Sequence, residues 1–324
     1  MAIIQNPPIS HISDEIPGYI HGLAGYYSDN DRTQHLVIAI NDGRHGGIGT
    51  LYEIHWDSNT QVIHTITPQT QLLWQFSTIH SLSGFYTSDD KNQHVIVATV
   101  DGWLHELYFM VPRHQDVHPR SPLLDYTIPP GPYIGQAGFY SPAVSGARVV
   151  TVGGADSILH QVAWDLSSLT PFDWNFATQF HLPDVAAIAG FYDQDDRSRN
   201  VIVAMQGGDI FDVSFSGAGG GSTPEPVTTF SHRLVNVAAF VSPDTHFRHV
   251  IVLDSNGDLY DYSYKPHRQF KLTHLARFTN VADIVGYYSD YDHMRHVIVA
   301  THDRNIATHD RNIHEVYYDK VELA

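Results

Sequence analysis

The chain has 324 residues, of which 42% are hydrophobic and 16% are charged, a composition typical of a globular protein rather than a disordered one. Acidic residues outnumber basic residues by 35 to 18, and the formal charge of −17 argues against nucleic acid or an anionic membrane as a partner. There is no cysteine, which excludes disulfides and thiolate metal sites. The sequence contains neither an apolar run of about 18 residues nor a readable signal peptide. The compartment is therefore left open between the cytosol and secretion without a readable signal.

A short extended segment, ISHIS at residues 9–13, comes first in the chain. After it, one unit recurs six times, and each copy opens with a small residue followed by aromatic or apolar residues at positions 25, 84, 138, 190, 239 and 286. A short loop follows, usually acidic, and then an apolar run such as HVIVAT at 94–99, a turn such as VDG at 100–102, and an alternating segment such as LHELYF at 104–109. These lengths and the Gly-containing turns predict three strands per unit, A (the triplet), B and C.

A fourth strand, D, is predicted before each following triplet, in the segments 72–77, 123–128, 174–180, 227–232 and 272–278. The last unit stops at strand C, and residues 8–14, which contain ISHIS, parallel the LTHLA of 272–276. We therefore expect the N-terminal segment to complete the last unit and close a ring without free edges. The prediction is an all-β, six-bladed β-propeller with four antiparallel strands per blade, forming a single domain over residues 1–324.

The last unit contains an exact duplication, in which ATHDRNI at 300–306 recurs at 307–313. An odd insertion within a strand would turn every following side chain to the other face, whereas a hairpin tip accepts extra residues at little cost. The duplication is therefore predicted to lengthen the tip between strands B and C, as RHGGIG at 44–49 does in the first unit.

Two columns of polar residues recur with the unit. The first residue of strand B is, in chain order, His35, His94, Arg148, Asn200, His249 and His296. The third residue of strand C is Glu53, Glu106, Gln161, Asp212, Asp261 and Glu315. A donor paired with an acceptor suits a neutral polyhydroxylated ligand, and aromatic residues such as Trp56, Trp164, Phe109 and Tyr318 could stack on an apolar sugar face. The alternative is that both columns satisfy the same inter-blade hydrogen bonds in every unit.

Trp103 follows the turn glycine of the second unit alone, either as an exposed binding residue or as a cover on a neighbouring blade. The Asp-rich loops lack the ligand series and turn glycine of a calcium loop, so no metal and no cofactor is predicted.

The sequence pattern H-V-I-V-A-T-x-D-G-x-L-H-E resembles the repeat of the fucose-type propeller lectins. These include the bacterial Photorhabdus-type lectins and the six-bladed fungal fucose-specific lectins. The resemblance covers nearly the whole chain. It implies a propeller with sugar sites between blades, where the family pairs a strand-B arginine with a strand-C glutamate and a neighbouring aromatic residue. At the position that matches this arginine, the chain has histidine in four units and asparagine in one, and only Arg148 is an arginine.

Three functions remain open at this point. The first is a lectin with several inter-blade sites that binds glycans or another neutral polar ligand. The second is an enzyme, for example of non-hydrolytic cyclisation, that uses one site in the central cavity. The third is a protein-interaction propeller with an exposed apolar patch. Homo-oligomerisation is compatible with all three.

Overall fold

The structure is a computed structural model that describes residues 3–5, 19–29, 32–42, 48–57, 63–65, 76–110, 118–120, 135–142, 147–153, 159–164, 172–178, 185–216, 224–265, 270–302 and 311–319. These residues contain 24 strands and no helix. None of the described segments is therefore a helix that could cross a membrane.

The described strands form six four-stranded antiparallel sheets, which we number in chain order. Sheet 1 contains β2 (Tyr19–Ser28), β3 (Thr33–Asp42), β4 (Ile48–Asp57) and β5 (Ile63–Thr65). Sheet 2 contains β6 (Ile79–Tyr86), β7 (Asn92–Thr99), β8 (Leu104–Met110) and β9 (His118–Arg120). Sheet 3 contains β10 (Gly135–Ser141), β11 (Ala147–Gly153), β12 (Leu159–Trp164) and β13 (Phe172–Thr178).

Sheet 4 contains β14 (Val185–Asp193), β15 (Ser198–Met205), β16 (Asp209–Ser216) and β17 (Glu225–Thr229). Sheet 5 contains β18 (Leu234–Ser242), β19 (Phe247–Asp254), β20 (Asp258–Tyr264) and β21 (Phe270–Arg277). Sheet 6 contains β22 (Val281–Ser289), β23 (Met294–His302), β24 (Arg311–Tyr318) and, at its outer edge, β1 (Ile3–Gln5).

The hydrophobic core is divided into clusters that lie between neighbouring sheets. The second strand of each sheet is buried on both faces, which explains why it reads as a continuous apolar run. One cluster joins Leu36 and Ile38 of sheet 1 to Ile298 and Ala300 of sheet 6. The first strands also contact one another in sequence, and β22 contacts β2. Packing therefore passes from sheet to sheet and returns from sheet 6 to sheet 1.

The repeated triplet is explained by packing between first strands. A Cβ added to Gly84 would lie 2.9 Å from the ring of Tyr26 in the preceding sheet, and one added to Gly190 would lie 2.8 Å from Phe139. The aromatic residue of one sheet thus fills the space beside the small residue of the next. Even the methyl group of alanine at Gly84 or Gly190 would require the facing ring to shift, and a larger side chain would force the two sheets apart.

The fourth strands only partly follow the sequence prediction. In sheets 3, 4 and 5 they overlap the predicted segments, but in sheets 1 and 2 they come earlier, as β5 and β9. Among the described residues of the predicted segment 72–77, Phe76 forms a single bridge with Gly49. The strand that pairs with β24 is Ile3–Gln5, whereas residues 8–14 lie outside the described residues.

The duplicated segment lies between β23 and β24. Its first copy begins in β23 and its second copy ends in β24, where Ala300 faces Ile313 and His302 faces Arg311. Residues 303–310 lie outside the described residues. The β23–β24 ladder keeps one register from the Arg295–Tyr318 pair to the His302–Arg311 pair.

Two adjacent glycines in the β15–β16 hairpin provide a test of this backbone. Gly208 has φ of +107°, and a Cβ there would lie 2.2 Å from the carbonyl oxygen of Phe230, whereas a Cβ at Gly207 would meet nothing within 4 Å. We expect Gly208→Ala to lower the free energy of unfolding by roughly 2 kcal/mol or more, because it combines strain with a clash. Gly207→Ala should change it by less than about 0.5 kcal/mol. Chemical denaturation measures both, and equal effects would contradict the described hairpin.

Candidate functional site: polar junctions between sheets

In sheet 3, the strand pairing shifts the first polar column by one residue from the alignment read from the sequence. Phe85 pairs with His94 in sheet 2, but its counterpart Phe139 pairs with Val149 in sheet 3. Arg148 instead pairs with Tyr140, as Gln93 pairs with Tyr86. Arg148 is therefore not equivalent to the histidines, and this offset accounts for the spacing of 13 residues between Arg148 and Gln161.

The four column histidines are buried and bonded through Nδ1 to the acid of their own sheet. The distances are 2.7 Å for His35–Glu53, 2.7 Å for His94–Glu106, 2.9 Å for His249–Asp261 and 2.9 Å for His296–Glu315. Each ring also stacks on the triplet aromatic beside it, as His249 does on Phe240 with ring centroids 5.0 Å apart. The Nε2 atoms of His94 and His249 contact hydroxyl groups, of Thr87 and Ser242 respectively. These side chains are held on all sides by the protein itself.

A third column precedes the histidines by one residue. It consists of Gln34, Gln93, Arg148, Arg199, Arg248 and Arg295, all of which are buried. These side chains reach back to the preceding sheet. Arg248 donates from Nε to Asp193 (2.7 Å) and from Nη1 to Asp212 (2.8 Å), both in sheet 4. Arg199 likewise donates to Gln161 of sheet 3 at 2.6 Å.

The last aromatic residue of the third strand also reaches the acid of the preceding sheet. Tyr264 donates its hydroxyl hydrogen to Asp212 at 2.7 Å, and Tyr318 donates to Asp261 at 3.1 Å. The indole N–H of Trp164 donates to Glu106 at 3.3 Å. The carboxylates of the acid column are therefore shared between their own sheet and the next.

We call the space between sheets 2 and 3 junction 2/3, and name the others in the same way. Three junctions combine a carboxylate, an arginine and an aromatic N–H or O–H donor. They are junction 2/3 (Glu106, Arg148, Trp164), junction 4/5 (Asp212, Arg248, Tyr264) and junction 5/6 (Asp261, Arg295, Tyr318). Junction 3/4 has Gln161, Arg199 and Phe215, so it lacks both the carboxylate and the aromatic N–H or O–H donor.

The outer ends of these junctions are acidic loops between the first and second strands. Arg148 contacts Asp89 and Asp90, and the Asp89 side chain is 24% exposed. Arg248 contacts Asp196, whose side chain is 44% exposed. Arg295 contacts Asp244 and lies over the ring of the partly buried Tyr288, with its Cζ 5.3 Å from the centroid. In junction 4/5, the Arg248 guanidinium thus connects the buried Asp212 to the solvent-accessible carboxylate of Asp196.

Burial and charge oppose each other in junction 4/5. Burial raises the pKa of Asp212, although Arg248 and the Tyr264 hydroxyl act in the other direction. Burial also raises the pKa of Tyr264, and the adjacent Asp212 carboxylate adds to this effect. For Arg248, burial would lower the pKa, but Asp212 and Asp193 raise it above its usual value. The Asp212 carboxylate and the Arg248 Nη1 lie 2.8 Å apart.

The other sequence-predicted residues lie in varied surroundings. Asn200 accepts from the Ser214 hydroxyl at 2.6 Å and does not reach a carboxylate of its column. Trp103 is half-buried in the β7–β8 turn, where its carbonyl oxygen accepts from Thr99. Trp56 lies in β4, and its side chain is outside the described part of the structure. The described residues contain no group of three His, Cys, Asp or Glu side chains arranged for a metal ion.

The sequence analysis missed the arginine column. Its signal was present in the dipeptides Gln34–His35, Gln93–His94, Arg248–His249 and Arg295–His296, in which the first residue was treated as part of the loop. The odd spacing in sheet 3 pointed to the same offset.

His296 makes stability depend on pH. Burial would lower the pKa of His296, but Asp292 and Glu315 on either side raise it to about 9. Because the folded pKa exceeds the unfolded value of 6.5, this contribution is fully present below about pH 6.5 and is lost as the pH rises through 9. We expect a loss of up to about 3 kcal/mol over this window in denaturation experiments. His296→Gln should remove it and Asp292→Asn should move it to lower pH; an unchanged pH profile in His296→Gln would contradict the assignment.

No protein-family model and no curated protein sequence matches this chain. Solved structures do match. The SapL1 lectin in complex with α-methyl fucoside has a TM-score of 0.65 at 10% identity, covering 88% of this chain and 89% of that one. The fucose-specific lectin from Aleuria aurantia has a TM-score of 0.60 at 10% identity, covering 93% and 96%. The NanB sialidase from Streptococcus pneumoniae has a TM-score of 0.61 at 8% identity, covering 98% and 70%. At these identities the likeness concerns the fold alone, and this chain has the fold of the fucose-type β-propeller lectins.

Proposed function

We propose that this protein is a carbohydrate-binding lectin that holds neutral sugars at junctions between the blades of a six-bladed propeller. The observation that carries the proposal is the repeated set of carboxylate, guanidinium and aromatic donor in junctions 2/3, 4/5 and 5/6. Such a set combines hydrogen-bond donors and acceptors of the kind that vicinal hydroxyls require. The fold shared with the SapL1 and Aleuria aurantia lectins supports the same class of ligand. The alternative of an enzyme gains no support from these comparisons.

The proposal takes the six sheets as six blades of one ring that β1 closes in sheet 6. Contacts between sheets 6 and 1 support this closure. The Tyr287 hydroxyl donates to Gln34 at 2.5 Å, and the Leu23 backbone N–H donates to Asp283 at 2.6 Å. The hydrophobic cluster between the same two sheets adds apolar packing. A ring of this kind protects the edges that a linear array of sheets would expose.

The proposal assigns three sugar sites rather than six. In junctions 1/2 and 6/1 the arginine position is occupied by Gln93 and Gln34, which are already bonded to Tyr26 and Tyr287. Junction 3/4 lacks the carboxylate. Neutral amides cannot present the rigid fork of donors that a guanidinium offers. The histidines are given an indirect role, in which they hold the carboxylates from behind through Nδ1.

The sugar is proposed to enter from the outer end of each site. There the guanidinium contacts loop carboxylates that are partly in solvent, such as Asp196 beside Arg248. The Asp196 side chain is 44% exposed, and the proposal is that hydroxyl groups of the sugar take its place on the Arg248 guanidinium. In junctions 2/3 and 5/6, Tyr140 and Tyr288 lie next to the arginines and offer half-buried aromatic faces for stacking.

Calorimetry with α-methyl fucoside, together with a glycan array to find the preferred sugar, tests the proposal. We expect about three sites per chain. Arg248→Lys and Arg295→Lys should each weaken one site by about 10- to 100-fold, because lysine keeps the charge but loses hydrogen bonds worth roughly 1.5–3 kcal/mol.

Arg199→Lys, in junction 3/4, is the matched control and should leave both the number of sites and their affinity unchanged. Thermal unfolding of all three variants separates loss of binding from loss of folding. A protein that binds no array glycan, or whose sugar binding survives Arg248→Lys and Arg295→Lys together, would be incompatible with three arginine-dependent sites.

A further inference from the structure

A cavity of about 260 Å³ lies where the first strands of all six sheets meet. Its lining comes from β2, β6, β10, β14, β18 and β22. The volume is slightly below the roughly 300–1,000 Å³ of typical ligand pockets, so the cavity has room only for a small ligand. None of the junctions described above contributes its carboxylate or its arginine to this lining. The cavity is therefore a separate place from the proposed sugar sites.

Among the described residues that line the cavity there is one carboxylate, that of Asp283, and neither lysine nor arginine. Asp283 is rigidly held. Its Oδ1 accepts from the Asn236 side chain at 2.5 Å and from the Ile284 backbone N–H at 2.8 Å. Its Oδ2 accepts from the Leu23 backbone N–H at 2.6 Å. A carboxylate oxygen can accept two hydrogen bonds, so Oδ2 retains capacity for a donor in the cavity.

The remaining polar groups of the lining favour a cation. His21 and His80 lie in the same lining, and burial, with His302 and His80 nearby, lowers the pKa of His21. The lowered pKa favours the neutral form of the His21 imidazole, which adds no positive charge. Asp283 is partly buried, and no cationic side chain of the described lining pairs with it, so a bound cation would offset part of the cost of holding its charge in the cavity. A neutral sugar would leave the charge unpaired.

The wall formed by β14 is apolar. Its described lining residues are Ala186, Ala187, Ile188 and Ala189, none of which has a polar side-chain atom; Ala186 is partly exposed and the other three are buried. A ligand that fits both walls needs a cationic end for Asp283 and a short hydrocarbon end for the alanines. A bare metal ion does not meet this description, because the described lining supplies one carboxylate only.

We propose that this axial cavity binds one small organic ammonium ion per chain, with its N–H groups on the Asp283 carboxylate and its alkyl part against the alanines of β14. The site is independent of the sugar sites: it uses no residue of junctions 2/3, 4/5 or 5/6. Its ligand is a cation, whereas the proposed sugar sites bind a neutral ligand.

Ligand-observed NMR titration with n-butylammonium, using n-butanol as the neutral isostere, tests the proposal on the full chain. We expect saturable binding of n-butylammonium and at least tenfold weaker binding of n-butanol. Asp283→Asn should weaken n-butylammonium binding at least tenfold, since it removes the charge while keeping the size of the side chain. Asp258→Asn, which removes a carboxylate on β20 outside the cavity, is the control and should bind as the unmodified protein does.

Ala186→Leu provides a second variant that keeps Asp283 and its hydrogen bonds. Ala186 is a partly exposed lining residue of β14, so the larger side chain should block binding by filling the cavity, and this variant decides the question if Asp283→Asn does not fold. Saturation with α-methyl fucoside should leave the n-butylammonium affinity unchanged, which separates this site from the proposed sugar sites. No binding of n-butylammonium, equal binding of n-butanol, or affinity unaffected by Asp283→Asn and Ala186→Leu would each overturn the proposal.

Discussion

The packing of an aromatic ring from one sheet against the small residue of the next is the contact on which the remaining structure depends. Tyr26 beside Gly84 and Phe139 beside Gly190 set how closely the first strands approach. The same rings stack on the column histidines, as Tyr26 does on His35 with centroids 5.3 Å apart. A single residue type at one position therefore fixes both the distance between sheets and the orientation of the polar side chains behind them.

Those polar side chains follow a second constraint, because charges buried between sheets must be paired. Each acid accepts hydrogen bonds from its own sheet, from the next sheet, or from both, and Asp212 with Arg248 and Tyr264 is the fullest case. Such pairing fixes the relative positions of the side chains in a junction. It adds little net stability, because burying the charges is itself costly. The same three positions form a structural link in junction 3/4 and a proposed binding site in junction 4/5. The difference lies in the residue types at those positions.

The sequence predicted the strands with the clearest periodicity and failed where pairing depends on distant residues. The second and third strands follow from apolar runs and Gly-containing turns, and the triplet glycines follow from crowding near the centre. The fourth strands β5 and β9 have weak patterns, and their position depends on which segment reaches an open edge. In the site, the acids were recognised, but the identity of their partners was not. Whether Arg148 or Val149 faces Phe139 is decided by strand register, which a shift of one residue reverses.

The three proposed sugar sites are unevenly spaced around the ring. In the proposed six-membered ring, junctions 4/5 and 5/6 are adjacent, whereas junctions 2/3 and 5/6 are half a turn apart. All the proposed sites open at the loop between the first and second strands, which recurs at the same position in every sheet, so two proposed sites on opposite sides of the ring would open toward the same face. Such an arrangement would favour tighter attachment to one glycan-bearing surface, and avidity would then depend on Arg148 and Arg295 as a pair.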